Sequence, residues 1–161
     1  MESIATLAFI AGWLSATLRM ATPLIFATMG ELFNERSGVL NLGIEGIMLL
    51  GALIGFLVVQ ATGNLWLGVV MAGISGMLMN LILAFFTVSL GANQFVSGLG
   101  ITFFANGLSL LIYRLAIGSP TVPPTITPFS EVDIPFLSRI TLLGEVLFQQ
   151  HALIYIAFAT V

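Results

Sequence analysis

Gly30-Glu31-Leu32-Phe33-Asn34-Glu35-Arg36-Ser37-Gly38-Val39-Leu40-Asn41-Leu42-Gly43-Ile44-Glu45-Gly46 is a polar interruption between long apolar stretches. It carries three carboxylates, an arginine and two asparagines, whereas the chain around it is almost without charge. Ionisable groups inside a bilayer are costly, face a bundle interior or a cavity, and mark function by default. Four of them so close together make this segment the first candidate for a site.

Composition decides the class of protein. The chain is 58% hydrophobic and 7% charged, contains no lysine, and has a mean hydropathy of +1.13. A soluble globular chain would carry about 25% charged residues. This is an integral membrane protein in contact with membrane lipid. Its 161 residues have room for roughly four or five spanning helices of about 20 residues each. The formal charge of −3 arises from few groups and forms no basic patch, so no nucleic-acid partner is expected. Without cysteine, disulfides and thiolate metal sites are excluded. No basic region precedes the first apolar run, so it does not read as a signal peptide.

Outward from the opening segment, the pattern predicts an all-α, polytopic transmembrane bundle with a broken helix near residues 30–46. The first span takes residues 1–36. Ser3 to Gly30 is apolar apart from Arg19 and is long for a perpendicular span, so it either tilts or lies partly in the interface. Pro23 lacks an N–H and crowds the carbonyl of Arg19, predicting a kink. Further spans are expected at 39–60, 65–90 and 94–115, separated by the breakers Ala61-Thr62-Gly63-Asn64 and Gly91-Ala92-Asn93. Residues 116–151 hold five of the six prolines and read as an extramembrane loop, with a short helix near Leu142–Gln149. A fifth apolar run, 152–161, is too short to cross a bilayer, which predicts that the chain is an incomplete piece of a longer protein. Gly51 and Gly55, then Gly68, Ala72 and Gly76, recur at helical spacing and predict close helix packing in lipid.

Glu31, Asn34 and Glu35 fall at i, i+3 and i+4 and would share a helix face. Asn41 and Glu45 are four apart. Ser37-Gly38 and Gly43 weaken helical continuity between the two sets, so these side chains and the freed backbone could line a cavity. The competing reading is a charged loop at the membrane surface. A second polar stripe lies on the fourth span, where Gln94, Gly98, Thr102, Ala105 and Ser109 recur every three or four residues beside Asn106. Such groups either line a solute pathway or join helices, and the pattern leaves both open. Asn80 on the third span reads as packing. Enzyme chemistry finds no support: His151 is the single histidine, and no glycine loop with lysine cradles phosphate. No cofactor or metal is expected.

The segment Gly30 to Met48 resembles the signature of bacterial ABC-importer permeases for nucleosides, part of a broader permease family that serves ribose and other simple sugars. Thr17-Leu18-Arg19-Met20-Ala21-Thr22-Pro23-Leu24 is similar to that group, as is Gly91-Ala92-Asn93-Gln94-Phe95-Val96-Ser97-Gly98. The resemblance implies a permease subunit moving nucleosides by alternating access, with ribose or another simple sugar as the alternative substrate. It implies a second permease subunit, identical or not, a cytoplasmic ATPase subunit that hydrolyses ATP, and an extracytoplasmic substrate-binding protein. The location implied is the bacterial cytoplasmic membrane. The pathway would be lined by Glu31, Asn34, Glu35, Asn41, Glu45, Asn93, Gln94, Thr102 and Asn106. The proline-rich loop would face the binding protein, which puts Arg114 and Arg139 outside, against the positive-inside bias. A rival of another class is an ion-coupled secondary transporter or channel, with Glu31, Glu35 and Glu45 relaying protons.

Overall fold

A computed structural model of the protein describes residues 2–133 and 149–161. Its chain order is α1 (Glu2–Arg36), α2 (Ile44–Thr62), α3 (Leu65–Ala84), a π-helical turn (Phe85–Ser89), α4 (Gln94–Ala116), β1 (Glu131–Asp133), β2 (Gln149–His151) and α5 (Ala152–Thr160). Phe9–Arg36, Ile44–Thr62, Leu65–Ser89 and Gln94–Ala116 are each long and apolar enough to cross a membrane. The chain is therefore an all-α, multi-pass membrane protein. It divides into two compact units, Met1–Gly30 with Phe129–Val161, and Glu31–Pro128.

The larger unit is built on a helical hairpin. Gly63 ends α2 and Asn64 caps α3, its side-chain oxygen accepting from the N–H groups of Trp66 and Leu67. The two helices then run back along one another at glycine. A Cβ on Gly55 would lie 3.1 Å from the carbonyl oxygen of Gly68, and one on Gly51 would lie 3.4 Å from that of Ala72. A step of four along α2 meets a step of four back along α3. The small residues picked out by their spacing are thus the antiparallel seam, where missing side chains let the backbones meet in lipid. On its other side α2 packs on α4. Leu50, Met79, Leu83, Ile101 and Ala105 form the buried apolar cluster where the three helices converge.

The pattern begins the second span at residue 39, whereas α2 begins at Ile44, because the intervening backbone is held in a non-helical course. The third span closes on a π turn in which Leu90 N–H reaches Phe85 O at 3.1 Å. Asn93 then starts α4.

In the smaller unit, α1 passes through Pro23 without interruption of the helix. Thr22, buried beside it, returns its hydroxyl to Leu18 O at 2.9 Å. β1 and β2 pair antiparallel, with Val132 opposite Gln150. The expected helix near 142–149 falls largely on residues outside the described ones, and Gln149 itself opens β2. Gln150 is completely buried. Its Nε2 donates to Ser15 Oγ at 2.6 Å and its Oε1 accepts from Arg19 Nε at 3.1 Å, so it ties the returning chain to α1. Gln150→Leu keeps the volume but strips the acceptor from Arg19 Nε and the donor from Ser15. At about 1–3 kcal/mol for a buried group left unmatched, the variant should lose the heat resistance of the wild type in detergent. Size-exclusion recovery after heating measures it, and unchanged recovery would mean that the tie carries no stability.

Candidate functional site

The interruption between α1 and α2 is an ordered structure. Helix α1 closes where Gly38 N–H donates to Glu35 O at 2.9 Å and Val39 N–H to Asn34 O at 3.0 Å. Gly38 has φ of +81°, a left-handed conformation that glycine adopts without steric cost. From Val39 to Gly43 no helical ladder absorbs the backbone groups, so each needs another partner.

Side chains from α1, from α4 and from the break itself supply several of them. Glu31 on α1 accepts the Asn41 N–H through Oε1 at 2.9 Å and the Asn34 amide through Oε2 at 3.3 Å. Gln94, the first residue of α4, accepts the Leu40 N–H at 2.9 Å and donates to Gly38 O at 3.1 Å. Thr102, two turns on, shares its hydroxyl between Leu42 O at 3.1 Å and Gly98 O at 3.2 Å. Asn41 folds back so that its Oδ1 accepts the Gly43 N–H at 2.9 Å, a local turn that asparagine favours. Its Nδ2 donates to Asn80 Oδ1 on α3 at 3.2 Å. Asn41 is only 5% exposed.

Close packing seals the arrangement. A Cβ on Gly98 would lie 2.9 Å from Leu42 Cβ and 3.0 Å from Leu42 N. One on Gly46 would lie 2.7 Å from Thr102 Cα and 2.9 Å from Thr102 O. The glycines let α4 lie against the break and the first turn of α2.

Of the residues singled out by sequence, the fold brings Glu31, Asn34, Asn41, Gln94 and Thr102 into one network around the break. Asn93 caps α4, accepting from Phe95 N–H at 3.0 Å and Val96 N–H at 3.3 Å. Glu35 and Glu45 are exposed and lie outside the network. Glu45 sits in the first turn of α2, where a negative charge complements the helix dipole by about 0.5 kcal/mol. Asn106 lies one turn beyond Thr102, partly buried, with no hydrogen bond among the described residues. Sequence reasoning assigned Asn80 to packing without its partner. It also missed the close approach at Gly46, for which the small residue opposite, Ala105, was the available signal. Among the described residues, no group of three or more His, Cys, Asp or Glu converges as a metal site.

Four apolar helices and a non-helical segment held by side chains from neighbouring helices define a multi-pass membrane protein. The chain belongs to the family described as branched-chain amino acid transport system / permease component, whose model matches residues 13–161, and it is a multi-pass protein of the cytoplasmic membrane.

It is 42% identical over 159 residues to a Haloferax volcanii protein provisionally named a glucose ABC transporter permease. It is 39% identical over 139 residues to the guanosine ABC transporter permease protein NupQ of Bacillus subtilis. It is 30% identical over 141 residues to the nucleoside ABC transporter permease protein NupC of Lactococcus lactis. These alignments take in 96%, 83% and 83% of this chain but 47%, 44% and 44% of the relatives, so the chain spans about half their length. No solved structure matches it.

Proposed function

We propose that the chain works within the permease subunit of an ATP-binding-cassette importer that carries nucleosides inward by alternating access. The observation that supports this most is the break at Ser37–Gly43, a non-helical course braced by Glu31, Asn41, Gln94 and Thr102. A braced irregular segment gives a moving bundle a fixed element beside its solute route. Glu31, Asn34, Asn41, Asn93, Gln94 and Thr102 shape that element and the start of α4. Glu35, Glu45 and Asn106 have hydrogen-bonding capacity left for a solute. The partners in this reading are a second permease subunit, a cytoplasmic ATPase that supplies the energy, and an extracytoplasmic binding protein.

Nucleosides are preferred because the motif resembles the nucleoside branch and because two relatives are named for guanosine or nucleosides. A sugar is the second reading, favoured by the 42% identity to a permease provisionally named for glucose. ATP-dependent uptake of radiolabelled uridine by the full-length permease with its ATPase and binding protein tests both. Nucleosides should compete, and ribose and glucose should not. Competition by sugars alone would move the protein to the sugar branch. Uptake that survives ATP depletion and collapses with an uncoupler would overturn the importer reading in favour of ion coupling.

A further inference from the structure

The break is packed unequally along its length. At its inner end a Cβ on Gly43 would lie 3.0 Å from Ile101 Cγ2 and 3.2 Å from Gly98 O, and the still closer approaches at Gly98 and Gly46 follow. Asn41, Gly43 and Gly46 are buried there. At its outer end Gly38 and Leu40 are exposed, and a Cβ on Gly38 would meet nothing within 4 Å among the described residues. The corner between α3 and α4 is equally open. Gly91 is exposed, and its Cβ direction is empty in the same way.

The side chain of Gln94 joins these two loose pieces. Its amide accepts the Leu40 N–H and donates to the Gly38 carbonyl, much as a neighbouring strand would pair with both groups. Both bonds are exposed, so water competes for them and their net worth is small. The inner contacts differ in kind. Thr102 reaches Leu42 O from the stretch of α4 that Gly98 brings against the chain, and the Gly43 N–H is held by a buried asparagine.

Each loose piece also carries a pivot. Gly38 and Gly91 have φ of +81° and +61°, and an unpacked glycine can change its backbone angles without displacing a side chain. Helix α3 reaches the corner through the π turn, where Leu90 N–H bonds to Phe85 O and Ala92 N–H to Phe86 O. Such wide turns recur at functional sites. Segments with exposed hydrogen bonds and little packing open at a fraction of the free energy that opens a core. The outer end of the break can therefore part while the inner end stays shut.

We propose that Gln94 is a latch. During alternating access the α3–α4 corner leaves Gly38–Leu40 by giving up the two Gln94 bonds, while Glu31, Asn41, Asn80 and Thr102 hold the inner end. This rests on the permease reading and divides its braced element into a part that stays and a part that moves.

Amide hydrogen exchange resolved to single residues tests it. The sample is the full-length permease reconstituted in nanodiscs with its ATPase and binding protein, without nucleotide and trapped with ATP and vanadate. The Leu40 N–H should exchange about tenfold faster in one state than in the other, the worth of one hydrogen bond. The Asn41 and Gly43 N–H groups should keep their rates. Gln94→Ala should exchange fast at Leu40 in both states and leave Gly43 unchanged. Its uptake should fall severalfold at a wild-type level of protein in the membrane, and uptake at the wild-type rate would mean that the latch plays no part in the cycle. Equal Leu40 rates in the two states of a wild type that performs ATP-dependent uptake would overturn the latch and leave the permease reading standing. Acceleration of Leu40, Asn41 and Gly43 together would make the break one opening unit and overturn it too. Absence of any ATP-dependent solute uptake by the wild type would overturn both readings.

Discussion

Asn41→Leu should abolish accumulation of the protein in the membrane, not merely its activity. The side chain is buried and bridges two places, accepting from Gly43 N–H and donating to Asn80, while the residue's own backbone N–H is held by Glu31. Leucine keeps the volume but leaves the Gly43 N–H and the Asn80 oxygen without these partners. An unmatched buried group costs about 1–3 kcal/mol, whereas polar contacts between membrane helices average about 0.6 kcal/mol. A loss of about 2–6 kcal/mol follows from two such groups. It falls on the segment that sets where α2 begins. Glu45→Gln is the internal control. That side chain is exposed and outside the network, so its protein level should stay near wild type. Immunoblotting of membrane fractions decides the matter, and an Asn41→Leu level equal to that of Glu45→Gln would mean that the network does not hold the break.

The second large effect is expected at Gly46. Its imagined Cβ meets the Cα and carbonyl oxygen of Thr102, which are main-chain atoms of α4 and cannot rotate aside. Gly46→Ala should cost about 1–3 kcal/mol, as overpacking of a tight interior does. Gly46→Leu should separate α2 from α4 altogether. That separation would also pull Thr102 from Leu42 O and Gln94 from the Leu40 N–H, so damage to packing becomes damage to the break. The comparison position is Gly73, which has nothing within 4 Å of its Cβ direction. Gly73→Ala should be neutral or slightly stabilising, since glycine in a helix is disfavoured by roughly 1 kcal/mol relative to alanine. Thermal unfolding of the two alanine variants in detergent separates them. Equal midpoints would show that α2 and α4 have slack at Gly46.

The glycine seam illustrates what the chain discloses before it folds. Four-residue spacing of Gly51, Gly55, Gly68 and Ala72 announces a close helix contact, because small residues at that period have few other uses in lipid. The spacing does not say that α2 and α3 are each other's partners. The short Gly63-Asn64 turn makes that pairing the economical one, and the fold places Gly55 against Gly68. The polar stripe on α4 is a harder case. From sequence, Gln94, Thr102, Asn106 and Ser109 form one row, with pathway lining and helix packing open alike for all four. In the fold, Gln94 and Thr102 are committed to the backbone of Val39–Gly43, and Asn106 and Ser109 are not. Nothing local distinguishes them, because their partners lie more than 50 residues away in the chain.

Sequence by itself determined the class of protein, the number of apolar helices, and the location of their interruption. Those follow from properties that act residue by residue: the cost of charge in a bilayer, the length needed to cross it, and the conformational preferences of glycine, proline and asparagine. Tertiary structure alone decided which polar side chains brace the break and which keep hydrogen-bonding capacity. A side chain's partner is chosen by what the fold carries to it, and only packed helices fix that distance.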